Sequence, residues 1–220
     1  MLDFQDVHKA EGHSLIKDPY INTHSGRRFR YKRPSFNTID IGDIAHALSH
    51  LCRFNGHTNS FWSVAQHSLL VADKIPGGPE EKLVGLLHDA AEAYTNDLPS
   101  PLKSFLREQA SKVGTTDAYG DLQDRITAAI YRRFGVKYIP DNVRTYDRAA
   151  CLFEAQGFMG LSAERLSGGG FAMQLAHLWE PWNPQFFAVE NRYRNCWDIK
   201  VKFLNRFKEL MMACGRGELL

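Results

Sequence analysis

Apolar residues recur at the spacing of an α-helix along most of this chain, and this periodicity constrains its fold more than any other feature. Between residues 40 and 52 they fall on one helical face: Ile41, Ile44, Ala45, Leu48, Leu51 and Cys52. Similar stripes recur within residues 60–71, 79–91, 122–134, 140–153 and 204–211. Strand-like alternation is confined to the cationic stretch around Phe29 and Tyr31. We therefore predict an all-α helical bundle with a short irregular or extended N-terminal segment.

The composition is that of an ordinary globular protein. Of the 220 residues, 44% are apolar and 24% are charged, and the net charge of +2 argues against a protein that mainly coats nucleic acid. Four dispersed cysteines indicate neither a zinc ribbon nor a disulfide framework, so we expect a reducing, cytoplasmic setting. The first residues lack the features of a signal peptide, and no apolar run approaches the roughly 18 residues of a membrane span, so we expect no membrane partner.

Two histidines and two aspartates are the strongest candidates for chemistry: His67, His88, Asp89 and Asp147. They lie in helical patterns rich in small and apolar neighbours, where an aspartate is costly to bury unless something positive binds it. A divalent metal ion would satisfy this need, because two imidazoles and two carboxylates form a mixed nitrogen and oxygen ligand set. The pattern therefore predicts a metal site shared by several helices.

Two further acidic residues follow the His88–Asp89 pair. Glu92 comes four residues after His88, so we expect it on the same face of the same helix, above the metal. A carboxylate at that position can orient a water molecule or carry its proton. Asp97 lies in the loop just past the expected end of this helix.

The order of these residues resembles that of the HD-domain metal-dependent phosphohydrolases. Residues 88–103, HDAAEAYTNDLPSPLK, are similar to the matching stretch of bacterial HD-type 5′-deoxynucleotidases (YfbR-like) and of phage dATP triphosphohydrolases (DatZ type). The similarity extends from about Ile41 to Ala155. It implies one HD-type domain over residues 1–220, with an N-terminal extension (1–36), a catalytic core (37–160) and a C-terminal helical cap (161–220).

The resemblance also implies roles for the residues at the centre. The metal ligands would be His67, His88, Asp89 and Asp147. Glu92 would assist the attacking water, and Asp97 would lie near the sugar and the scissile phosphate. The ion would be one divalent transition metal, such as zinc, cobalt or manganese, with additional magnesium accompanying a triphosphate substrate.

The resemblance gives a second set of residues to substrate binding. Arg53 and Phe54 match an Arg-Trp pair that grips phosphate and packs on the nucleoside; Phe54 keeps the aromatic face and loses an N–H donor. Lys103 would neutralise phosphate charge, and His57, close to Arg53 in sequence, is a candidate to touch the substrate. Gln66 stands where the nucleotidases carry Glu, which leaves open what supports His67.

The expected reaction is hydrolysis of the bond between the 5′ oxygen and the α-phosphorus of a 2′-deoxynucleotide. A dATP triphosphohydrolase, which releases tripolyphosphate, is favoured because Arg53, Lys103 and the basic segment 27–33 could serve a polyanionic tail. The alternatives are a 5′-deoxynucleotidase acting on monophosphates and a non-catalytic nucleotide or nucleic-acid binding module. The basic segment also suits a solvated strand face or a subunit contact.

The remaining features carry structural expectations. We expect Trp62 to belong to the core and the helical pair His46 and His50 to form a polar surface face. The C-terminal aromatic residues suggest a capping lobe or an oligomer interface: Trp179, Trp182, Phe186, Phe187, Tyr193 and Trp197. The resemblance implies a homo-oligomer in the cytoplasm, or in the host cytoplasm for a phage-encoded protein, and we do not expect nucleic acid as a partner.

Overall fold

An N-terminal β-hairpin followed by packed helices makes up the computed structural model, which describes residues 18–162, 165, 178 and 195–220. The mostly helical architecture confirms the predicted all-α bundle. The connector Gly168–Gly170 and most of the expected C-terminal cap lie outside the described residues, as do all of its singled-out aromatic residues except the exposed Trp197. Within the described ranges, no helix has the length and apolarity needed to span a lipid bilayer.

The hairpin pairs β1 (Tyr20–Asn22) with β2 (Arg28–Arg30) in antiparallel register, with Ile21 opposite Phe29. This confirms the expected strand, and its two terminal arginines face solvent. Phe29 is completely buried and stacks on Tyr94, with ring centroids 3.9 Å apart. Because alternate residues of a strand point to opposite faces, one strand both anchors the hairpin in the core and displays its cations.

The first helices begin at well-formed caps. Helix α1 (Ile41–His50) starts after Asp40, whose side chain accepts hydrogen bonds from the first-turn N–H groups. Helix α2 (Val64–Lys74) starts with a capping box in which Ser63 and Gln66 bond each other's backbone N–H groups. Helix α3 (Pro79–Leu87) has a proline in its first turn, where a missing N–H costs nothing.

The third helix is shorter than the sequence suggested. It ends at Leu87, and after a turn at residues 88–91 a separate short helix, α4 (Glu92–Thr95), begins. Over this stretch the backbone N–H groups bond carbonyls three residues back, as in Ala90 to Leu87 and Glu92 to Asp89. Such bonds wind the chain more tightly than an α-helix. Glu92 therefore does not continue the helical face of α3, which corrects the expectation of one shared helix.

Four longer helices follow: α5 (Ser100–Lys112), α6 (Ala118–Arg133), α7 (Val143–Met159) and α8 (Cys196–Ala213). Helix α7 begins three residues after Pro140, where the apolar pattern of residues 140–153 starts. Tight single turns lie at Phe36–Thr38, Arg53–Gly56 and Gly217–Leu219.

Helix α2 lies in the middle of the bundle and contacts α1, α3, α7 and α8. Every residue from Val64 to Ala72 is therefore buried. On one side the main core packs the hairpin against α1, α3, α6 and α8. On the other side Trp62 and residues of α2 pack against α7, and Trp62 is 1% exposed, which confirms its predicted place in the core. A polar side chain on α2 is consequently removed from water and must find its partners inside the protein.

Candidate metal centre

The four predicted metal ligands converge although they come from separate parts of the chain. His67 lies on α2, His88 and Asp89 lie in the turn after α3, and Asp147 lies on α7. One donor atom from each residue lies within 4.8 Å of a donor atom from every other, so the group can hold a metal ion. The structure thus bears out the proximity that the sequence pattern required.

The donor atoms face one another across a small gap. His67 Nε2 is 3.1 Å from Asp147 Oδ1 and 3.6 Å from Asp89 Oδ2. His88 Nε2 is 3.1 Å from the same Asp89 oxygen and 3.7 Å from the same Asp147 oxygen. Two imidazole nitrogens and two carboxylate oxygens therefore surround one point, as a bound cation requires.

The environment of His88 supports a metal rather than a simple ion-pair network. Its Nδ1 donates a hydrogen bond of 2.8 Å to the Gly85 carbonyl, which leaves the lone pair of the ring on Nε2. That Nε2 is buried and forms no hydrogen bond. A buried nitrogen with a fixed lone pair and no donor fits a metal ligand. The donor set suits zinc, cobalt or manganese and does not choose among them.

Without an ion, the four groups perturb one another strongly. Burial opposes charge on both rings, and Arg53 also lowers the pKa of His67, but the neighbouring carboxylates outweigh these effects and raise both histidine pKa values. Burial acts against the Asp89 carboxylate too, yet His88 brings its pKa down to about 2. The pKa of Asp147 falls well below its usual range despite burial, because His67 donates a hydrogen bond to it and the charges of both histidines stabilise its ionised form. The centre thus keeps its carboxylates ionised.

Glu92 and Lys103 form a pair beside the metal ligands. Glu92 is 4% exposed; its Oε1 accepts a hydrogen bond of 3.0 Å from Lys103 Nζ, and its Oε2 is buried without a partner. Burial and the charges of Asp89 and Asp97 raise the pKa of Glu92 well above its ordinary value. The result is a carboxylate with a strong tendency to take up a proton. Lys103, expected to face phosphate, is half-buried and bonded to this acid.

Asp97 lies in the loop that follows α4. Burial raises its pKa, while Arg53 pulls in the opposite direction. The residue before it, Asn96, has a backbone φ of 71°, and its side chain accepts a hydrogen bond from the Asp97 backbone N–H. A residue other than glycine is strained at such a φ, so the surrounding fold must hold Asn96, directly before Asp97, in this geometry.

Arg53, Phe54 and His57 lie on the turn between α1 and α2. Arg53 is 8% exposed, and its Nε and Nη2 both lie 3.1 Å from Glu154 Oε2, whereas its Nη1 lies 3.8 Å from Asp89 Oδ2. The planar fork that would suit phosphate is thus turned toward a protein carboxylate. Phe54, at a φ of 54°, has its ring 5.4 Å from the Arg53 guanidinium carbon. His57 is exposed, and its backbone N–H donates to the Phe54 carbonyl.

Glu154 is a residue of this site that the sequence analysis missed. It lies on α7, is completely buried, and its Oε1 is 2.8 Å from His67 Nδ1. Its spacing of about two helical turns from Asp147 was the available signal, because such residues share a helix face. The open question about Gln66 is answered by the same geometry: its side chain bonds Ser63 in the capping box, and Glu154 supports His67.

Comparison with known proteins gives relatives without a stated activity. No known protein-family profile matches the chain. It is 38% identical over 117 residues to a protein of Escherichia coli K12 described as uncharacterized protein YfdR, covering 53% of this chain and 59% of YfdR, so it spans less than two thirds of that relative. It is 35% identical over 159 residues to uncharacterized protein RCAP_rcc00048 of Rhodobacter capsulatus, covering 66% of this chain and 76% of the relative.

Proposed function

We propose that this chain, which belongs to the same family as RCAP_rcc00048 of Rhodobacter capsulatus, is an HD-type metal-dependent phosphohydrolase acting on 2′-deoxynucleotides. The observation that carries the proposal is the convergence of His67, His88, Asp89 and Asp147 on one point. A set of this kind, with a buried acid beside it, suits hydrolysis of a phosphoester. The bond broken is the one between the 5′ oxygen and the α-phosphorus.

Each side chain of the site has a separate role in the proposed reaction. The four ligands hold a divalent cation, which when bound polarises the phosphate and lowers the pKa of water toward ~7. Glu92 accepts a proton from the attacking water, since its raised pKa makes it a better base than an exposed carboxylate. Lys103 holds Glu92 Oε1 in place. Arg53 directs Nη1 toward the ligands, where it can donate to a non-bridging phosphate oxygen.

The pairing of the cations bears on which nucleotide is used. The preference for a triphosphate rested on Arg53, Lys103 and the basic segment 27–33. Arg53 is ion-paired with Glu154, and Lys103 with Glu92. Among the five cations of the basic segment, Arg27 forms an exposed ion pair with Asp40, and Arg30 forms one with Asp18.

A cation already neutralised by a carboxylate attracts the β- and γ-phosphates less strongly. The pairing of Arg53 and Lys103, the two cations beside the candidate metal ligands, therefore favours a deoxynucleoside monophosphate over dATP among the substrates of the proposed reaction.

Phosphorus NMR of the reaction products tests both the activity and the substrate. The protein is loaded separately with zinc, cobalt and manganese and incubated with dAMP and with dATP. Orthophosphate from dAMP is the expected result, and tripolyphosphate from dATP would support the triphosphohydrolase instead. Tight nucleotide binding without turnover under every metal would contradict the enzyme and indicate a binding module.

A further inference from the structure

Glu154 is a buried carboxylate that joins the metal ligands to Arg53. It lies on α7 and has no exposed surface. Its two oxygens serve different partners: Oε1 is 2.8 Å from His67 Nδ1, and Oε2 is 3.1 Å from both Nε and Nη2 of Arg53. One side chain is therefore bonded to a candidate metal ligand and to the candidate phosphate donor at the same time.

The contact with His67 determines which nitrogen of that ring is free to bind an ion. An ionised carboxylate can only accept hydrogen bonds, so His67 Nδ1 must carry the proton. The other nitrogen, Nε2, lies 3.1 Å from Asp147 Oδ1; without an ion it also carries a proton and donates to that oxygen, and with an ion bound it would lose this proton and face the ion with its lone pair. His88 reaches the same state through its bond from Nδ1 to the Gly85 carbonyl. Both rings thus offer Nε2 to the same cluster.

The contact with Arg53 determines how the guanidinium is turned. Two of its three nitrogens are directed at Glu154, and the third, Nη1, lies 3.8 Å from Asp89 Oδ2. A guanidinium is planar, so holding Nε and Nη2 against one oxygen also fixes the direction of Nη1. Arg53 consequently presents a single nitrogen toward the metal ligands.

We propose that Glu154 is a positioning residue that orients His67 for metal binding and Arg53 Nη1 for the phosphate, a role that rests on the proposed metal-dependent function. A carboxylate that hydrogen-bonds a ligating histidine and fixes its tautomer commonly contributes about 10–100-fold to metal affinity. Glu154 adds a second task, because the same carboxylate holds a substrate-facing cation.

A purely structural role for Glu154 makes a different prediction. A buried arginine needs a counter-charge wherever it lies, and neutralising Arg53 would by itself explain a buried carboxylate. In that case removing Glu154 would lower stability without changing the protonation of His67 or the metal affinity. The two roles therefore separate on measurements other than stability.

Glu154→Gln is the sharpest variant because it keeps the shape and replaces one acceptor oxygen with an NH₂ donor. If the NH₂ faces His67, the ring must move its proton to Nε2 and loses its lone pair there. If the NH₂ faces Arg53, it meets the N–H groups of the guanidinium, and two donors cannot form a hydrogen bond with each other. The matched control is Phe207→Leu on α8, where the buried ring packs in the main core with its centroid 4.9 Å from that of Phe134.

Nitrogen NMR of the histidine rings and zinc competition against a chromophoric chelator provide the readouts. In the metal-free wild type, at a pH high enough to leave the ring neutral despite its raised pKa, we expect His67 protonated on Nδ1. Glu154→Gln should shift the proton toward Nε2 and weaken zinc binding about 10–100-fold, whereas Phe207→Leu should lower stability and leave zinc affinity unchanged.

A wild-type His67 protonated on Nε2 would overturn the proposal, and so would unaltered zinc affinity in Glu154→Gln. The tautomer of His67 in the wild type tests the proposed role of Glu154 even if the Glu154→Gln variant does not fold. If the metal-loaded wild type hydrolysed neither dAMP nor dATP, the proposed function would fail, while the tautomer and zinc affinity would still report on Glu154.

Discussion

Gly85 of α3 lies so close to α2 that a β-carbon on it would stand 3.2 Å from the Cα of Ala72. The Ile75 side chain closes the same space at 3.3 Å. The two helices that meet here position the candidate metal-binding histidines, since α2 contains His67 and the turn that follows α3 begins with His88. Their rings are 5.2 Å apart between centroids. Because Gly85 has no side chain, α3 can pack this close to α2. The distance between His67 and His88 depends on that helix spacing.

Replacing Gly85 with alanine should therefore affect both the fold and the metal. Alanine gains roughly 1 kcal/mol of helix propensity, but overpacking against backbone costs about 1–3 kcal/mol, so we expect a net loss of stability. We also expect weaker zinc binding, because α3 must move away from α2. Urea unfolding and zinc competition measure the two effects.

Ala128→Gly, at an exposed position of α6, is the control for that experiment. It should cost about 1 kcal/mol through propensity alone and leave zinc affinity unchanged. Equal zinc affinities in Gly85→Ala and the wild type would contradict the link between helix spacing and the centre.

Asp89→Ala should remove the metal and turnover together. The Asp89 carboxylate lies within reach of both histidines, at 3.6 Å from His67 Nε2 and 3.1 Å from His88 Nε2. We expect a loss of zinc affinity greater than the roughly 10–100-fold typical of residues that only support a ligand. Metal content and phosphate release are measured side by side with Asp124→Ala, an exposed acid on α6. Full turnover by metal-stripped protein would refute the metal centre as the source of activity.

Glu92→Gln should separate metal binding from catalysis. Glutamine has nearly the shape of glutamate and can still accept the bond from Lys103, so the fold and zinc content should be retained. Loss of the proton acceptor should lower kcat by about 10²–10⁴-fold. The matched control is Glu108→Gln on the exposed side of α5. A Glu92→Gln enzyme with wild-type kcat would exclude Glu92 as the base.

Removing the charge of Lys103 should move the pH profile of the reaction. Lys103 lowers the pKa of Glu92, against the larger upward effects of burial and the nearby aspartates. In Lys103→Met the pKa of Glu92 rises further, so the base stays protonated to higher pH and the acidic limb of kcat/KM shifts upward. Lys103→Arg keeps the charge and should shift the limb much less. A limb at the same pH in all three proteins would be inconsistent with this pairing.

Three histidine rings give the fold its own pH dependence. His46 stacks on His24 at 3.6 Å and lies 4.2 Å from His50 between ring centroids. Burial, then His50, His24 and Lys200, lower the pKa of His46, while Asp43 opposes them. Because the folded pKa lies below the unfolded value of about 6.5, the unfolded chain binds more protons as the pH falls. Stability is then complete above that value and decreases below it.

The variant His46→Gln should flatten this dependence, since glutamine does not titrate. The free energy of unfolding, followed from about pH 8 to pH 5, should fall more in the wild type than in the variant. Parallel curves would show that the stacked rings do not control acid stability.

The sequence by itself determined most of the helices and which four residues could hold a metal ion. Helix starts were readable because caps such as Ser63 and Pro79 act on their own first turn. The His88–Asp89 pair was readable because charged and ligating side chains stood among small and apolar neighbours. The break after Leu87 was not readable from the sequence. A short stretch of tighter winding has the same pattern of apolar residues as a continuous helix.

Only the tertiary structure decided what the polar groups of the centre bond to. Arg53 and Glu154 are 101 residues apart in the sequence. The periodicity of apolar residues predicts which faces are buried and does not say which buried side chains contact each other. Packing of α7 against α2 brought Glu154 to His67 and turned the guanidinium away from solvent. The physical reason is burial. A charge removed from water needs an opposite charge within bonding distance, and only the folded chain determines which charges lie that close together.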